Sequence, residues 1–436
     1  MTRFSRRQFL ATTLASTSLA TAMPFSTMAD VKFPAPHSEA PRDIASNEAF
    51  WAKVASYYEV KRDIVNVENG NWGIMASPVM QSYFSHTARV NQDNSYYSRR
   101  KYWSELKPIL HSVAARLAVS PEEICFTRGA TEALQNLIAN YRLLKPGDAV
   151  MYADVDYDAM QAAMDAKART AGAKAVKFAL PPVTNSDDIV AYYSHMLTQN
   201  PACKLLLLTH LSHRNGLVIP VAAIAKIAKS KGVDVIVDAA HSWGQINLTA
   251  SDLEADFIGF NMHKWYGAPI GVGVMYVNRT RLHDIAPNMS ASPEQSDSIW
   301  GRVHSGTSNF AAFLTVPEVL RFHDWIGADA KEVRLKYLRN LWVNAISHIS
   351  AIDILTPNDP QCYGGITAFR LHNKTSSEDN RRIVSYLLEN HGIFTVHRDG
   401  LASGSCVRIT PSYYNSDKDM LTVAKALEEA ARAFRL

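Results

Sequence analysis

The sequence predicts an α/β protein with a large domain built on a mostly parallel seven-stranded sheet and a smaller α+β domain. Three observations predict it. Seven short apolar runs follow one another from about residue 122 to 277: EICFT, AVMYA, AKAVKFA, CKLLLLTH, VDVIVDAA, DFIGF and GVGVMYV. They are nearly continuous in apolar residues rather than alternating, as strands covered on both faces must be. Helical stretches over 130–143, 158–170, 186–198 and 219–230 separate most of them, which is the rhythm of a parallel sheet with helical crossovers. DFIGF and GVGVMYV have no helix between them, so an antiparallel edge strand is expected there.

The other elements follow in chain order. Residues 1–29 carry Arg3, Arg6 and Arg7, then the small and apolar run ATTLASTSLATAM, then Thr27-Met28-Ala29. A charged start, a weakly apolar middle and a small-residue end predict a signal peptide, with cleavage expected after Ala29 and Ala22 as the alternative site. The adjacent Arg6 and Arg7 fit the twin-arginine export route, so a periplasmic location is expected. Residues 30–48 read as a loose arm and 49–60 as a short amphipathic helix. IVNVENGNWG supplies a short strand and a turn around Gly70 and Gly73. Helices are expected over 76–90 and 100–118, the second from Leu106, Ile109, Leu110, Val113 and Leu117 at helical spacing. After residue 318 a long helical run to 350 precedes AIDIL, GGITAFRL, a helix over 376–390, FTVHR, CVRIT and a helix over 417–434. Beyond the leader, the expected division is 30–90 for the arm and part of the small domain, 91–330 for the large domain and 331–436 for the small one.

Composition excludes several classes. The chain has 436 residues and is 47% hydrophobic, enough for a large core and two domains. Its formal charge is +4, and three of those charges are the leader arginines. No basic block exists, so a nucleic-acid surface is not expected. No run beyond the leader is long and apolar enough to predict a membrane span in the mature chain. Gly271 and Gly273 lie inside a strand rather than ahead of a helix, so no dinucleotide fingerprint is present. There is no P-loop, no HExxH and no closed Cys/His set, so no metal is expected. Cys125 and Cys203 sit in strand-like runs and read as core residues, whereas the states of Cys362 and Cys406 stay open.

Three segments carry chemistry. Lys264 lies in DFIGFNMHKWYGAPIGVG, just after an apolar strand and among glycines. Such a lysine can form a Schiff base with a carbonyl cofactor, although a snorkelling surface lysine fits the same residues. Asp238 ends VDVIVDAA, and ligands in open α/β sheets sit beyond the carboxyl ends of the strands. A buried carboxylate there needs a partner, and a protonated pyridine nitrogen is a suitable one; a helix cap is the alternative. His241, three residues on, can face the same site. The turn Gly129-Ala130-Thr131 after EICFT opens a helix whose free N–H groups and Thr131 hydroxyl suit a phosphate.

These segments in this order resemble the class V aminotransferase family of pyridoxal 5'-phosphate (PLP) enzymes, and within it the isopenicillin N epimerase-like branch, over about residues 60–425. The resemblance implies PLP as cofactor, fold type I, and a homodimer with each active site near the subunit interface. It implies that Lys264 forms the Schiff base, that Asp238 holds the pyridine nitrogen, and that Ala130, Thr131 and His263 bind the phosphate. Tyr157 stands where this branch stacks an aromatic ring on the cofactor, and Gly306-Thr307 resembles the segment that reaches the phosphate of the neighbouring subunit. His213 stands where many members have asparagine, so it either bonds the cofactor's 3'-oxygen or faces the substrate. Arg408, in CVRITPSYYN, resembles the arginine that clamps a substrate carboxylate. Glu68, Asn69, Asn71 and Trp72 become candidate substrate contacts. Arg100, with Arg99, suits a second carboxylate or simply a solvated helix end.

The implied function is chemistry at the α carbon of an amino acid or an amino-acid-containing peptide with a carboxylate: transamination, oxidative modification or epimerisation. The export leader adds a resemblance in organisation to periplasmic siderophore tailoring, the maturation of pyoverdine. The alternatives are a C–S or β-lyase, including a cysteine desulfurase-like enzyme, and a non-catalytic PLP-fold binding protein. A desulfurase needs a nucleophilic cysteine on a mobile loop, and neither Cys362 nor Cys406 fits.

Overall fold

The strands, in chain order, are β1 (Val65–Asn66), β2 (Ile124–Thr127), β3 (Ala149–Ala153), β4 (Lys174–Phe178), β5 (Cys203–Thr209), β6 (Asp234–Ala239), β7 (Phe257–Asn261) and β8 (Gly273–Val277). After them come β9 (Ile352–Ile354), β10 (Thr367–Leu371), β11 (Ile393–Phe394), β12 (Val396–Arg398) and β13 (Cys406–Ile409). The computed structural model describes residues 33–34, 40–61, 63–303 and 306–434. The expected leader, 1–29, lies outside the described residues.

The seven apolar runs form one sheet in the order β2-β8-β7-β6-β5-β3-β4. Side chains alternate between its faces. Leu205, Leu207, Ile236, Phe257 and Met275 pack with Leu134, Leu137, Met160 and Met164 of the helices Ala130–Asn140 and Asp158–Ala171. Leu206, Leu208, Val237, Ile258 and Val274 join the opposite cluster with Ile189, Tyr193 and Ile224 of Ser186–Gln199 and Val221–Ser230. Both faces are therefore dry over the inner strands, which is why those runs are almost wholly apolar. β4 is an edge strand, and its exposed Lys174 and Lys177 discourage pairing with another chain.

One topological expectation is corrected. The antiparallel strand is β8, but it is internal, paired antiparallel to β7 on one side and β2 on the other. The short link from β7 can only return antiparallel, and β2 then closes the edge. Six strands consequently point one way, and β2, β3, β5, β6 and β7 end on the same side of the sheet.

Two helix expectations also change. The run over 318–350 is two helices, Val316–Ile326 and Ala328–Ile346, divided at Gly327, whose φ of 90° no helix accommodates. The helix expected over 76–90 continues as Ser77–Arg100, with a kink at Asn94 (φ 50°).

The C-terminal strands form the antiparallel sheet β12-β13-β10-β9. Phe369, Val407 and Ile409 pack with Trp342, Leu387 and Leu427 in a core of their own. β1 pairs in parallel with β11 in a separate two-stranded sheet, and the Val67 carbonyl accepts from the Thr410 N–H just past β13, which ties the N-terminal loop to the C-terminal strands.

β2 and β8 approach closely where the β2 strand turns into its helix. A Cβ on Gly273 would lie 2.5 Å from the Gly129 Cα, and backbone cannot yield as a side chain can. Gly273→Ala is expected to cost about 1–3 kcal/mol of stability, measured as a fall in the denaturant midpoint with an unchanged slope.

Candidate active site

The shared direction of the strands delivers their carboxyl ends to one place, where ligands of open α/β sheets bind. Gly129, Ala130 and Thr131 follow β2, Tyr157 follows β3, Thr209 and His213 end and follow β5, and Asp238 and His241 belong to the end of β6. Asn261, His263 and Lys264 end and follow β7. All of them line one cleft of about 470 Å³, together with Gly70, Asn71, Arg398 and Arg408.

Lys264 is partly buried and its Nζ lies 3.0 Å from His241 Nε2. Desolvation lowers the amine from 10.5 to about 8, with Asp238 opposing that shift and Arg408 adding to it. Burial, and then the charge of Lys264, push His241 well below the usual histidine range. The imidazole is therefore neutral, and its Nδ1 is buried without a hydrogen-bond partner. The loop after β1 clamps the lysine backbone: the Gly73 N–H donates to His263 O at 2.9 Å, and a Cβ at Gly73 would sit 1.9 Å from Lys264 O.

Asp238 is 4% exposed, and its Oδ1 accepts from the Ala240 N–H at 2.9 Å. Burial raises its carboxyl, and a cationic partner in the cleft it lines would offset that cost. A second carboxylate, Asp156, lies behind it. Asp156 accepts from the N–H groups of Thr209 and Ala153 at 2.9 and 2.7 Å. Burial pushes it up to about 7, and Asp238 adds to the rise. Sequence reasoning missed Asp156; its neighbour Tyr157 drew attention instead.

The phosphate turn needs one correction. The Ala130 N–H, expected to be free, donates to Asn261 Oδ1 at 2.9 Å. Thr131 is exposed to the cleft, and His263 lies beside it with Nδ1 3.1 Å from Val272 O. Burial lowers His263 to about 4. A Cβ at Gly129 would meet His263 Cε1 at 3.0 Å and Asn261 Oδ1 at 3.2 Å. Glycine at 129 is what lets both side chains reach the turn.

Arg408 is also not the open clamp expected. Its Nη1 donates to His213 O at 2.7 Å, and its Nη2 donates to Glu68 Oε1 and Oε2 at 2.7 and 2.6 Å. Arg398 reaches the same carboxylate, Nη2 to Oε1 at 3.2 Å. Arg398 was missed because FTVHR carries no motif; pairing of β12 with β13 brings it beside Arg408.

Tyr157 is 38% exposed and stands edge-on to His213 at 5.1 Å. Asn69, Trp72, Arg100, Gly306 and Thr307 do not line the cleft. Asn69 braces the loop instead, donating to Thr410 O at 2.9 Å and accepting from the Tyr414 hydroxyl. Trp72 is 51% exposed, and Arg100, Gly306 and Thr307 are exposed as well. All four cysteines are buried and unpaired, and none lines the cleft.

This donor set fits PLP. It offers an amine for the aldehyde, a buried carboxylate for the ring nitrogen, an aromatic ring for the ring face, and Thr131 and His263 at a helix start for the phosphate. Among the described residues, no helix is long and apolar enough to cross a membrane.

Comparison with known proteins agrees with the geometry. The family model Aminotransferase class-V matches residues 77–421, and the chain belongs to that family. It is 23% identical to isopenicillin N epimerase of Streptomyces clavuligerus, over 87% of this chain and 98% of the relative. It is 26% identical to a probable cysteine desulfurase of Vibrio cholerae, over 80% of this chain and 88% of the relative. Among solved structures, a cysteine desulfurase of Escherichia coli superposes with a TM-score of 0.72 at 19% identity, over 88% of this chain and 98% of that one. A cystine C–S lyase superposes with a TM-score of 0.73 at 20% identity, over 85% and 98%. The relatives thus divide between epimerases and enzymes of sulfur amino acids. The fold is that of PLP fold type I, and the chain is a PLP-dependent enzyme of that superfamily.

The lowered amine has a measurable consequence. A neutral amine attacks an aldehyde and an ammonium does not. The rate at which the apoprotein captures PLP, followed by absorbance, is expected to rise with pH and level off above about 8. A rate still climbing as a free lysine would dictate shows that the amine is not shifted.

Proposed function

We propose that this class-V family member holds PLP at Lys264 and breaks the Cα–H bond of an amino acid or amino-acid-containing peptide, with loss of a β substituent, a C–S or β-lyase reaction, as its outcome. The carrying observation is the Lys264 amine, lowered to about 8 and 3.0 Å from a neutral His241, in the same cleft as a buried Asp238. Bound there, the cofactor supplies an electron sink that acidifies the α C–H bond. Lys264 accepts the α proton as general base. His241 orients the amine through Nε2, and Asp238 carries the negative charge that favours a protonated ring nitrogen. Arg408 and Arg398 provide the cationic end of the cleft for a carboxylate. Lys264, now an ammonium, returns the proton to the leaving sulfur, which takes the electron pair of the broken C–S bond. Persulfide transfer to the protein is not part of this reading, because no cysteine reaches the cleft.

Relatives described as cysteine desulfurases, L-cysteine desulfhydrases and a cystine C–S lyase support the lyase outcome. A second reading, transamination or epimerisation at the same carbon, draws on the isopenicillin N epimerases, which the chain covers almost end to end. Inversion needs a second proton donor, and Tyr157 and His213 are the cleft groups available for it. Arg6 and Arg7 of the leader support twin-arginine export to the periplasm. There a peptide siderophore would be within the substrate class. In a homodimer, Gly306 and Thr307, exposed and away from their own cleft, would serve the partner's site.

The test is α-hydrogen exchange in D₂O by the PLP-loaded protein, followed by NMR with L-cysteine, L-cystine and a glutamyl peptide. Sulfide or thiol release with a keto acid marks the lyase. Keto acid with conversion of the cofactor to its amine form marks transamination, and appearance of the D-isomer marks epimerisation. Lys264→Ala is expected to slow exchange by about 10²–10⁴-fold. Exchange unaffected by that substitution refutes the assignment of the base.

A further inference from the structure

The cationic end of the cleft already holds a carboxylate. Glu68, on the loop after β1, is 7% exposed and takes both contacts of Arg408 Nη2 while also reaching Arg398. The other terminal nitrogen of Arg408 is engaged by His213 O at 2.7 Å. The loop is packed on the guanidinium: a Cβ at Gly70 would lie 2.7 Å from Arg408 Nη2. What remains open is on the outer arginine. Arg398 has a side chain 29% exposed, against 1% for Arg408. Glu68 is its one carboxylate partner among the described residues. The Nε atoms of both arginines are buried without partners. Two close guanidiniums repel, and one carboxylate between them cancels only one of the two charges.

We propose that Glu68 is a specificity-determining residue: it occupies the carboxylate seat between Arg408 and Arg398, so that a substrate carboxylate must displace it to bind. The proposal rests on the reading of these arginines as the substrate's carboxylate anchor. A small monocarboxylate amino acid gains from the seat only what Glu68 loses by leaving it. A larger substrate has further contacts with which to offset the exchange, along Gly70 and Asn71 on the same loop and Tyr157 across the cleft. The substrate class selected is therefore an amino group and carboxylate on an extended molecule, a peptide rather than a free amino acid.

The experiment is calorimetric binding of propionate to the PLP-loaded protein. Propionate has a carboxylate and no amine, so nothing happens at Lys264 and turnover does not enter. Glu68→Gln keeps the shape and removes the charge. It is expected to bind propionate about tenfold more tightly or better than wild type, the order of gain when a charge-assisted competitor is removed. Equal or weaker binding, in a variant with the wild-type thermal midpoint, overturns the proposal and makes Glu68 a fixed brace. If Glu68→Gln does not fold, Glu68→Asp replaces it, retaining charge but shortening reach, and a smaller gain in propionate affinity is expected. Failure of both to fold also overturns the proposal. Arg398→Gln in the Glu68→Gln background separates the two levels. It is expected to remove the gain; propionate binding that ignores it shows that carboxylates dock elsewhere, and the anchor reading itself fails.

Discussion

An amine held with little water around it is the constraint on which the site depends. Protein interior disfavours its ammonium form, so Lys264 sits near 8 rather than 10.5. The same desolvation keeps His241 neutral beside it and raises Asp238. An amine lowered to about 8 gives up its proton more readily than a free lysine, and it stands beside a neutral imidazole rather than a second cation; a carboxylate desolvated by burial favours a cationic partner. The pocket is thus prepared for a cationic ring nitrogen and an electrophilic carbonyl before any ligand enters.

Holding that amine requires backbone rather than side chains. β7 ends at Asn261, and the chain must turn sharply to present Lys264 and return as β8. Asn261 then spends its side chain on the Ala130 N–H, joining the lysine strand to the start of the β2 helix. Gly73 brings the N-terminal loop against the Lys264 carbonyl. That loop continues from β1, which pairs with β11 in a two-stranded sheet of its own, and the Val67 carbonyl accepts from the Thr410 N–H just past β13 of the second sheet. The lysine is accordingly fixed by both sheets, and Glu68, five residues before Gly73, is fixed with it.

The arginine end obeys a different rule. Buried guanidiniums without a carboxylate are costly, and Arg408 is 1% exposed. Glu68 answers that cost within the chain. The cleft therefore combines a floor organised by desolvation with a wall organised by ion pairing. The two meet at His213, whose carbonyl receives Arg408 and whose ring faces Tyr157.

The sequence by itself determined the sheet and the residues of the floor. Strands dry on both faces must be almost wholly apolar, so the inner strands were visible as runs, and the edge strand β4 followed from its place in the same rhythm. Lys264, Asp238 and Thr131 were visible because each closes or follows such a run, where side chains face ligand. The strand order, and with it the internal place of β8, depends on pairing between distant segments and leaves no local mark. The breaks at Gly327 and Asn94 are single backbone angles inside otherwise helical patterns. Partnerships within the site were hidden for the same reason. Asn261 with Ala130, Asp156 with Thr209, and Glu68 between Arg408 and Arg398 join residues 53 to 340 positions apart. Sequence spacing sets which chemistry a chain carries, but only folding decides which of its groups are already spoken for.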